Sequence, residues 1–249
     1  FGTSTSKVRN FISTSFDQFG RKLESKIQEV VDKLENLDSQ INAIGLREGV
    51  EGRSSQRVPT TSLVDPETII YGRDDDEKAI VNLLLSKDVA SNNQSGVIPI
   101  VGVGGVGKTT LARQIYNNQK IIEHFSLKAW VCVSEEFDVR KITKKILEAV
   151  SPQKHDHTDF NKIQTELKNY LMGKKCLLIL DDVWNENYDD WALLSIPFKY
   201  GTSGSRIIVT TRNRSVALIM RPIQIFNLNK LSEEDCWLLF ANHAFENGK

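Results

Sequence analysis

The sequence predicts an α/β fold: a doubly wound parallel sheet of five strands, preceded by an amphipathic helix. Three observations predict it. From Glu67 onward, short unbroken apolar runs alternate with helical patterns, as expected of parallel strands covered on both faces. The first run, VIPIV, leads straight into a glycine-rich stretch, GVGGVGKTT, at 102–110. A later run, CLLIL, ends in a pair of acids, Asp181 and Asp182.

A chain of 249 residues holds one sizeable α/β core and something smaller. It begins at Phe1 and stops at Lys249 inside an apparent helix, which reads as a fragment of a longer protein. Its 32 basic residues balance 32 acidic ones, so nucleic acid is not indicated as a partner, nor a membrane surface. The longest apolar runs are too short for a transmembrane segment, and no signal-peptide pattern opens the chain. Cys132, Cys176 and Cys236 are odd in number, widely spaced and set among apolar neighbours. They read as buried, reduced thiols of a reducing compartment. The sequons at Asn93 and Asn213 are then without meaning.

Taken in order, residues 1–45 carry apolar side chains at Phe16, Phe19, Leu23, Ile27, Val30, Leu34, Leu37, Ile41 and Ile44, in steps of three and four. That stripe is either a coiled-coil helix that mediates an interaction or one core helix of a bundle. Residues 46–66 are rich in Gly, Ser, Arg, Thr and Pro without periodicity and read as a linker. The α/β domain spans 67–228. VIPIVGV is its first strand, KTTLARQIYNN the helix after it, and LKAWVCV the second strand. Helices near 139–150 and 159–171 are marked by Ile142, Ile146, Leu147 and Val150, then by Phe160, Ile163, Leu167 and Leu171. KCLLIL, SRIIVTT and IQIFNL are the third, fourth and fifth strands. Residues 229–249 open a following helical subdomain. Ser232 and Asp235 match a capping box. Trp237, Phe240, Ala241, Ala244 and Phe245 form an apolar face, which predicts a packed core helix.

The glycine-rich stretch fits G-x-x-x-x-G-K-S/T, with Gly102, Gly107, Lys108 and Thr109 in the fixed places. A triphosphate tail needs several backbone N–H groups aimed at it from a tight turn free of Cβ atoms, and Gly102, Gly104, Gly105 and Gly107 supply that turn. The next helix starts at the phosphates, so its dipole adds a favourable field. Lys108 reaches the β- and γ-phosphates as a point charge, and Thr109 offers a hydroxyl to Mg2+. Thr110 is a helix residue near the phosphates.

Asp181 and Asp182 end a buried strand, on the side of an α/β sheet where ligands sit. Asp181 is placed to hold Mg2+, through water or directly; Asp182 is placed to orient or deprotonate a water. Arg212 ends the fourth strand on the same side. A guanidinium there either reads the γ-phosphate or lies on the surface, and spacing leaves both open. DDDEK at 74–78 reads as solvated charge at a helix start, and His155 and His157 suggest no third metal ligand.

These segments resemble, in order and spacing, the nucleotide-binding (NB-ARC) domain of plant intracellular immune receptors with leucine-rich repeats. IIYGRDDDEKAIVNLLL is similar to the family's lead-in segment and GVGGVGKTT to its phosphate loop. FSLKAWVCVSEEFDVRKITKKIL is similar to the block after it, and KKCLLILDDVWNE to its acid strand. GSRIIVTTRNRSVA and LNKLSEEDCWLLFANHAF are similar to the next two blocks. Trp184, after Asp-Asp-Val, resembles the coiled-coil class, and the helix at 1–45 is similar to the end of that class's N-terminal helical domain. The resemblance covers about 67–249.

The resemblance implies a P-loop NTPase sheet of order 2-3-4-1-5. It implies a switch that binds ADP or ATP with Mg2+ and hydrolyses ATP slowly to control defence and cell death, with Lys108 and Asp182 as catalytic residues. Ile70, Tyr71, Gly72 and Arg73 would line the adenine, the loop from Gly102 to Thr110 would hold the phosphates, and Arg212 would sense the γ-phosphate. Implied partners are the N-terminal helical domain and leucine-rich repeats within the receptor, and further copies on activation. The implied location is cytoplasmic, with membrane association when active. The family's later proline-containing and histidine motifs do not occur in these 249 residues. A piece without them is expected to bind nucleotide more weakly and not to switch by itself. Two other classes stay open. One is an ordinary P-loop ATPase or small-molecule kinase. The other is a non-catalytic interaction fragment whose phosphate loop is a relic.

Overall fold

The computed structural model describes residues 28, 32–33, 60–63, 69–86, 96–133, 137–151, 153 and 159–244. The chain divides into two compact units, Phe1–Arg57 and Val58–Lys249. In the first, Gln28, Asp32 and Lys33 are helical and exposed. The Gln28 amide donates to Asp32 one turn on, at 2.9 Å. The whole apolar stripe of 1–45, Asn93, His155, His157 and Phe245 lie outside the described residues.

In the second unit, α1 (Asp74–Leu85) precedes β1 (Gly96–Val101). Then come α2 (Lys108–Asn117), α3 (Gln119–His124) and β2 (Leu127–Cys132). After α4 (Val139–Val150) and α5 (Phe160–Leu171) comes β3 (Cys176–Asp181). Next are α6 (Tyr188–Ser195), a 3-10 turn (Ile196–Tyr200) and β4 (Arg206–Thr211). Last are α7 (Arg214–Ile219), β5 (Phe226–Asn227) and α8 (Glu233–Ala244). The five strands form one parallel sheet of order β2-β3-β4-β1-β5, the expected doubly wound arrangement.

The inner strands β1, β3 and β4 are buried at every position, which is why each is an unbroken run in the sequence. Successive residues serve opposite faces. Leu178, Leu180, Ile207 and Val209 join α4–α7 in one core. Leu177, Ile179, Ile208, Ile98 and Ile100 join α1–α3 in the other. β2, at the sheet edge, buries only alternate residues.

Four expectations change. The fifth strand shrinks from IQIFNL to two residues. Ile223 and Leu228 both donate to β1 carbonyls, of Val97 and Val101, so five steps along this chain face four along β1 and the ladder breaks. The connections left unassigned contain α3, α6 and α7, each capped by an asparagine: Asn118, Asn187 and Asn213 accept from the backbone N–H two residues on. α8 is no packed core helix, because none of its residues is buried. Ser232 does cap it, accepting from the Asp235 N–H at 3.0 Å. Trp237 and Phe240 meet each other, 5.6 Å between rings, at the surface. For the same reason Cys236 is exposed, whereas Cys176 is buried and Cys132 half-buried; all three are free thiols.

Candidate functional site

The site forms where β1, β4 and β3 end side by side. Gly102 leaves β1, and its N–H donates to the Thr211 carbonyl of β4 at 3.3 Å. The loop then turns through Gly105 (φ 77°) and Gly107 (φ 97°), backbone that other residues rarely adopt. Gly104 lies close under Arg212: a Cβ there would stand 3.0 Å from a guanidinium nitrogen, which would have to give by a few tenths of an ångström. Arg212 therefore faces the phosphate loop, and its guanidinium also stacks 4.7 Å from the Trp184 ring.

Lys108 opens α2 and is buried. Its ammonium donates to the Gly102 and Val103 carbonyls at 2.8 and 2.9 Å, so it arches back over the loop. Burial, and then the Arg212 charge, pull its pKa below the usual lysine value; Asp182 and Asp181 oppose them.

Asp181 is fully buried. The Thr109 hydroxyl donates to both its oxygens, at 2.9 Å to Oδ1 and 3.2 Å to Oδ2. Thr210 of β4 donates to Oδ1 at 2.5 Å, and its own oxygen accepts the Asp182 N–H at 2.8 Å. One strand hydroxyl thus positions both acids. Asp182 sits at φ 59°, a left-handed conformation that Asp tolerates better than most residues. Beyond it, Glu186 accepts from Asn213 and Ser215 and ties the loop after β3 to the one after β4.

The lead-in segment divides. Ile70, Tyr71 and Arg73 line a cavity of about 400 Å3 together with Gly105, Gly107 and Thr110 of the loop and helix, and Leu239, Asn242 and His243 of α8. Gly72 is not among the lining residues; at its φ of 62°, a Cβ added there would overlap the Asp235 carboxylate. Arg73 is buried, pairs with Asp76 at 2.8 Å, and donates to the Val106 and Asn229 carbonyls at 2.9 Å each. Of the 74–78 charges, Glu77 accepts from Gln114 and Asn118 and so docks α1 on its neighbours, whereas Asp75 is exposed.

Thr109 and Asp181 present a hydroxyl and a carboxylate in direct contact, oxygen donors that suit Mg2+. Among the described residues no group of three or more His, Cys, Asp or Glu could hold a metal. A cation here would keep most of its shell as water and phosphate oxygens, which is how Mg2+ usually binds. Sequence reasoning missed Thr210, although two threonines closing an apolar strand were a visible signal. It also missed the α8 wall of the cavity and the reach of Thr60, whose hydroxyl donates to Asp181 at 2.6 Å.

The sequence profile of the NB-ARC domain matches residues 74–249. The chain belongs to the NB-ARC family. This NB-ARC chain is 47% identical over 227 residues to disease resistance RPP13-like protein 1 of Arabidopsis thaliana, covering 90% of this chain and 21% of that one. It is 39% identical over 229 residues to disease resistance protein RGA2 of Solanum bulbocastanum, covering 91% and 23%. The chain thus spans less than a quarter of the length of these relatives. Among solved structures, the ADP form of the Aeropyrum pernix ORC2 protein aligns with a TM-score of 0.54 at 17% identity, covering 73% of this chain and 55% of that one. CDC6P of Pyrobaculum aerophilum aligns with a TM-score of 0.53 at 13% identity, covering 73% and 52%. These two likenesses concern the fold alone. Among the described residues of this NB-ARC chain, no helix is long and apolar enough to cross a membrane.

Proposed function

We propose that this NB-ARC chain is the nucleotide-binding module of a plant disease-resistance switch, binding ADP or ATP with Mg2+ and hydrolysing ATP slowly. The observation that supports this reading is the contact of Thr109 with Asp181, 72 residues apart, beside a glycine loop overhung by Lys108 and Arg212.

The loop amides and the start of α2 bind the phosphate chain. The Lys108 ammonium exchanges its two loop carbonyls for phosphate oxygens and Arg212 reads the γ-phosphate. Thr109 and Asp181 would hold the cation, and Asp182 would orient the attacking water. When bound there, Mg2+ would supply charge neutralisation to the phosphate chain. Ile70, Tyr71 and Arg73 form the adenine side of the cavity, and Gly72 lets α8 approach it. In the whole receptor, conformation rather than product is the output. There the module contacts the N-terminal helical domain and leucine-rich repeats, oligomerises when active and triggers defence and cell death. It works in the cytoplasm and at the membrane once activated.

Calorimetric titration of ADP into wild type and Lys108→Ala tests the reading. The variant should lose binding by at least about 100-fold, the worth of two charge-assisted hydrogen bonds. Equal affinity for the two proteins refutes the assignment.

A further inference from the structure

Residues 60–63 belong by composition to the linker, yet they lie bonded along α2. Arg113 Nε donates to the Thr61 carbonyl at 2.8 Å, and the Asn117 amide, one turn on, donates to the Ser62 carbonyl at 2.7 Å. These two bonds seat a short strap on the phosphate-loop helix. Its leading residue, Thr60, then reaches the site, its hydroxyl donating to Asp181 Oδ2 at 2.6 Å.

A carboxylate offers about four acceptor positions on its two oxygens. At Asp181 three hydroxyls bring one proton each: Thr109 shares its proton between Oδ1 at 2.9 Å and Oδ2 at 3.2 Å, Thr210 donates to Oδ1 and Thr60 to Oδ2. Thr109 and Thr210 sit in the helix and strand that frame the site, and the Thr210 bond is buried. Of the three hydroxyls, only Thr60 comes from a segment outside that frame. A Mg2+ ion on Thr109 needs Asp181 either as a direct ligand or as acceptor for one of its waters. On Oδ2, which Thr109 reaches only at 3.2 Å, the hydroxyl standing at 2.6 Å is that of Thr60.

We propose that Thr60 is a further residue of the cation site: its hydroxyl stands on Asp181 Oδ2 in place of a Mg2+-bound water, so strap docking and cation binding exclude one another. The proposal rests on the nucleotide-and-Mg2+ reading above. It makes the strap at 60–63 respond to the metal rather than to the nucleotide base.

The test uses the full chain as wild type, Thr60→Val, which keeps shape and loses the hydroxyl, and Thr60→Ser, which restores it. ADP affinity is measured in EDTA and across a Mg2+ titration, and amide hydrogen exchange is followed at 60–63. Thr60→Val should lower the Mg2+ concentration for half-effect about tenfold, what losing a competing bond to a charged acceptor gives. Thr60→Ser should match wild type, and all three should bind ADP alike in EDTA. In wild-type protein holding ADP, adding Mg2+ should speed exchange at 60–63. A half-effect concentration that is unchanged or raised in Thr60→Val overturns the proposal. So does strap exchange that holds or slows with Mg2+, a readout that needs no variant. Wild type that binds no ADP under either condition refutes the nucleotide reading itself, and this proposal with it.

Discussion

Gly72 offers a quantitative test of how the lead-in segment meets α8. Its φ of 62° costs a residue with a Cβ roughly 1–2 kcal/mol. A Cβ built there overlaps the Asp235 carboxylate and stands 2.5 Å from its Cγ. Asp235 can swing aside, but its Oδ2 then loses the Ser232 hydroxyl, now 2.7 Å away, a bond worth about 1 kcal/mol. Gly72→Ala should therefore destabilise the nucleotide-binding unit by about 2–3 kcal/mol and lower its Tm by roughly 5–10 °C. Relief by displacing α8 instead would remove Leu239, Asn242 and His243 from the cavity wall, and a fall in ADP affinity would report that. The assay is urea unfolding of wild type, Gly72→Ala, Asp235→Ala and the double variant. The double-mutant cycle should return about 1 kcal/mol of coupling, leaving only the backbone cost. If Gly72→Ala falls within ~0.5 kcal/mol of wild type, the backbone argument is wrong. Zero coupling in the cycle, with ADP affinity also unchanged, would show that Asp235 and position 72 do not meet.

Two further expectations follow from the same site and core. Asp182→Asn, chosen because Asn also tolerates a positive φ, should keep ADP affinity within about threefold and slow single-turnover ATP hydrolysis at least about tenfold; unchanged hydrolysis removes Asp182 from the chemistry. Burial pushes the Cys176 thiol up to about 11, against about 8.5 in an unfolded chain. The folded state thus favours the neutral thiol, whose stabilising share is complete below about pH 8.5 and lost as pH climbs towards 11. Relative to Cys176→Val, wild type should lose on the order of 3 kcal/mol across that window, read by urea unfolding at each pH; a constant difference refutes the burial argument.

The strands were legible because burial on both faces forces unbroken apolar runs, and nothing else in an α/β chain looks like CLLIL followed by two acids. The phosphate loop was legible because its glycines answer to backbone sterics, which act locally. What escaped depends on distant partners. Thr60 is one polar residue in a polar stretch, and only the fold brings it to an acid 121 positions away. The apolar face of α8 reads as core, but burial requires a neighbour, and none of its residues is buried here. α3, α6 and α7 are too short for a period to stand out, and their asparagine caps were the signal to weigh.

Arg73 gives the unit an unusual mechanical property. Its guanidinium grips carbonyls of the phosphate loop at Val106 and of Asn229, 156 residues further along the chain from Arg73 and just ahead of α8. The same side chain thus ties the loop backbone to the root of a twelve-residue helix about 18 Å long. A rotation of about 10° at that root would carry the far end through about 3 Å, about the length of a hydrogen bond. α8 is in this sense a pointer tied to the glycine loop, and the exposed Trp237 along it is the needle a fluorimeter can follow.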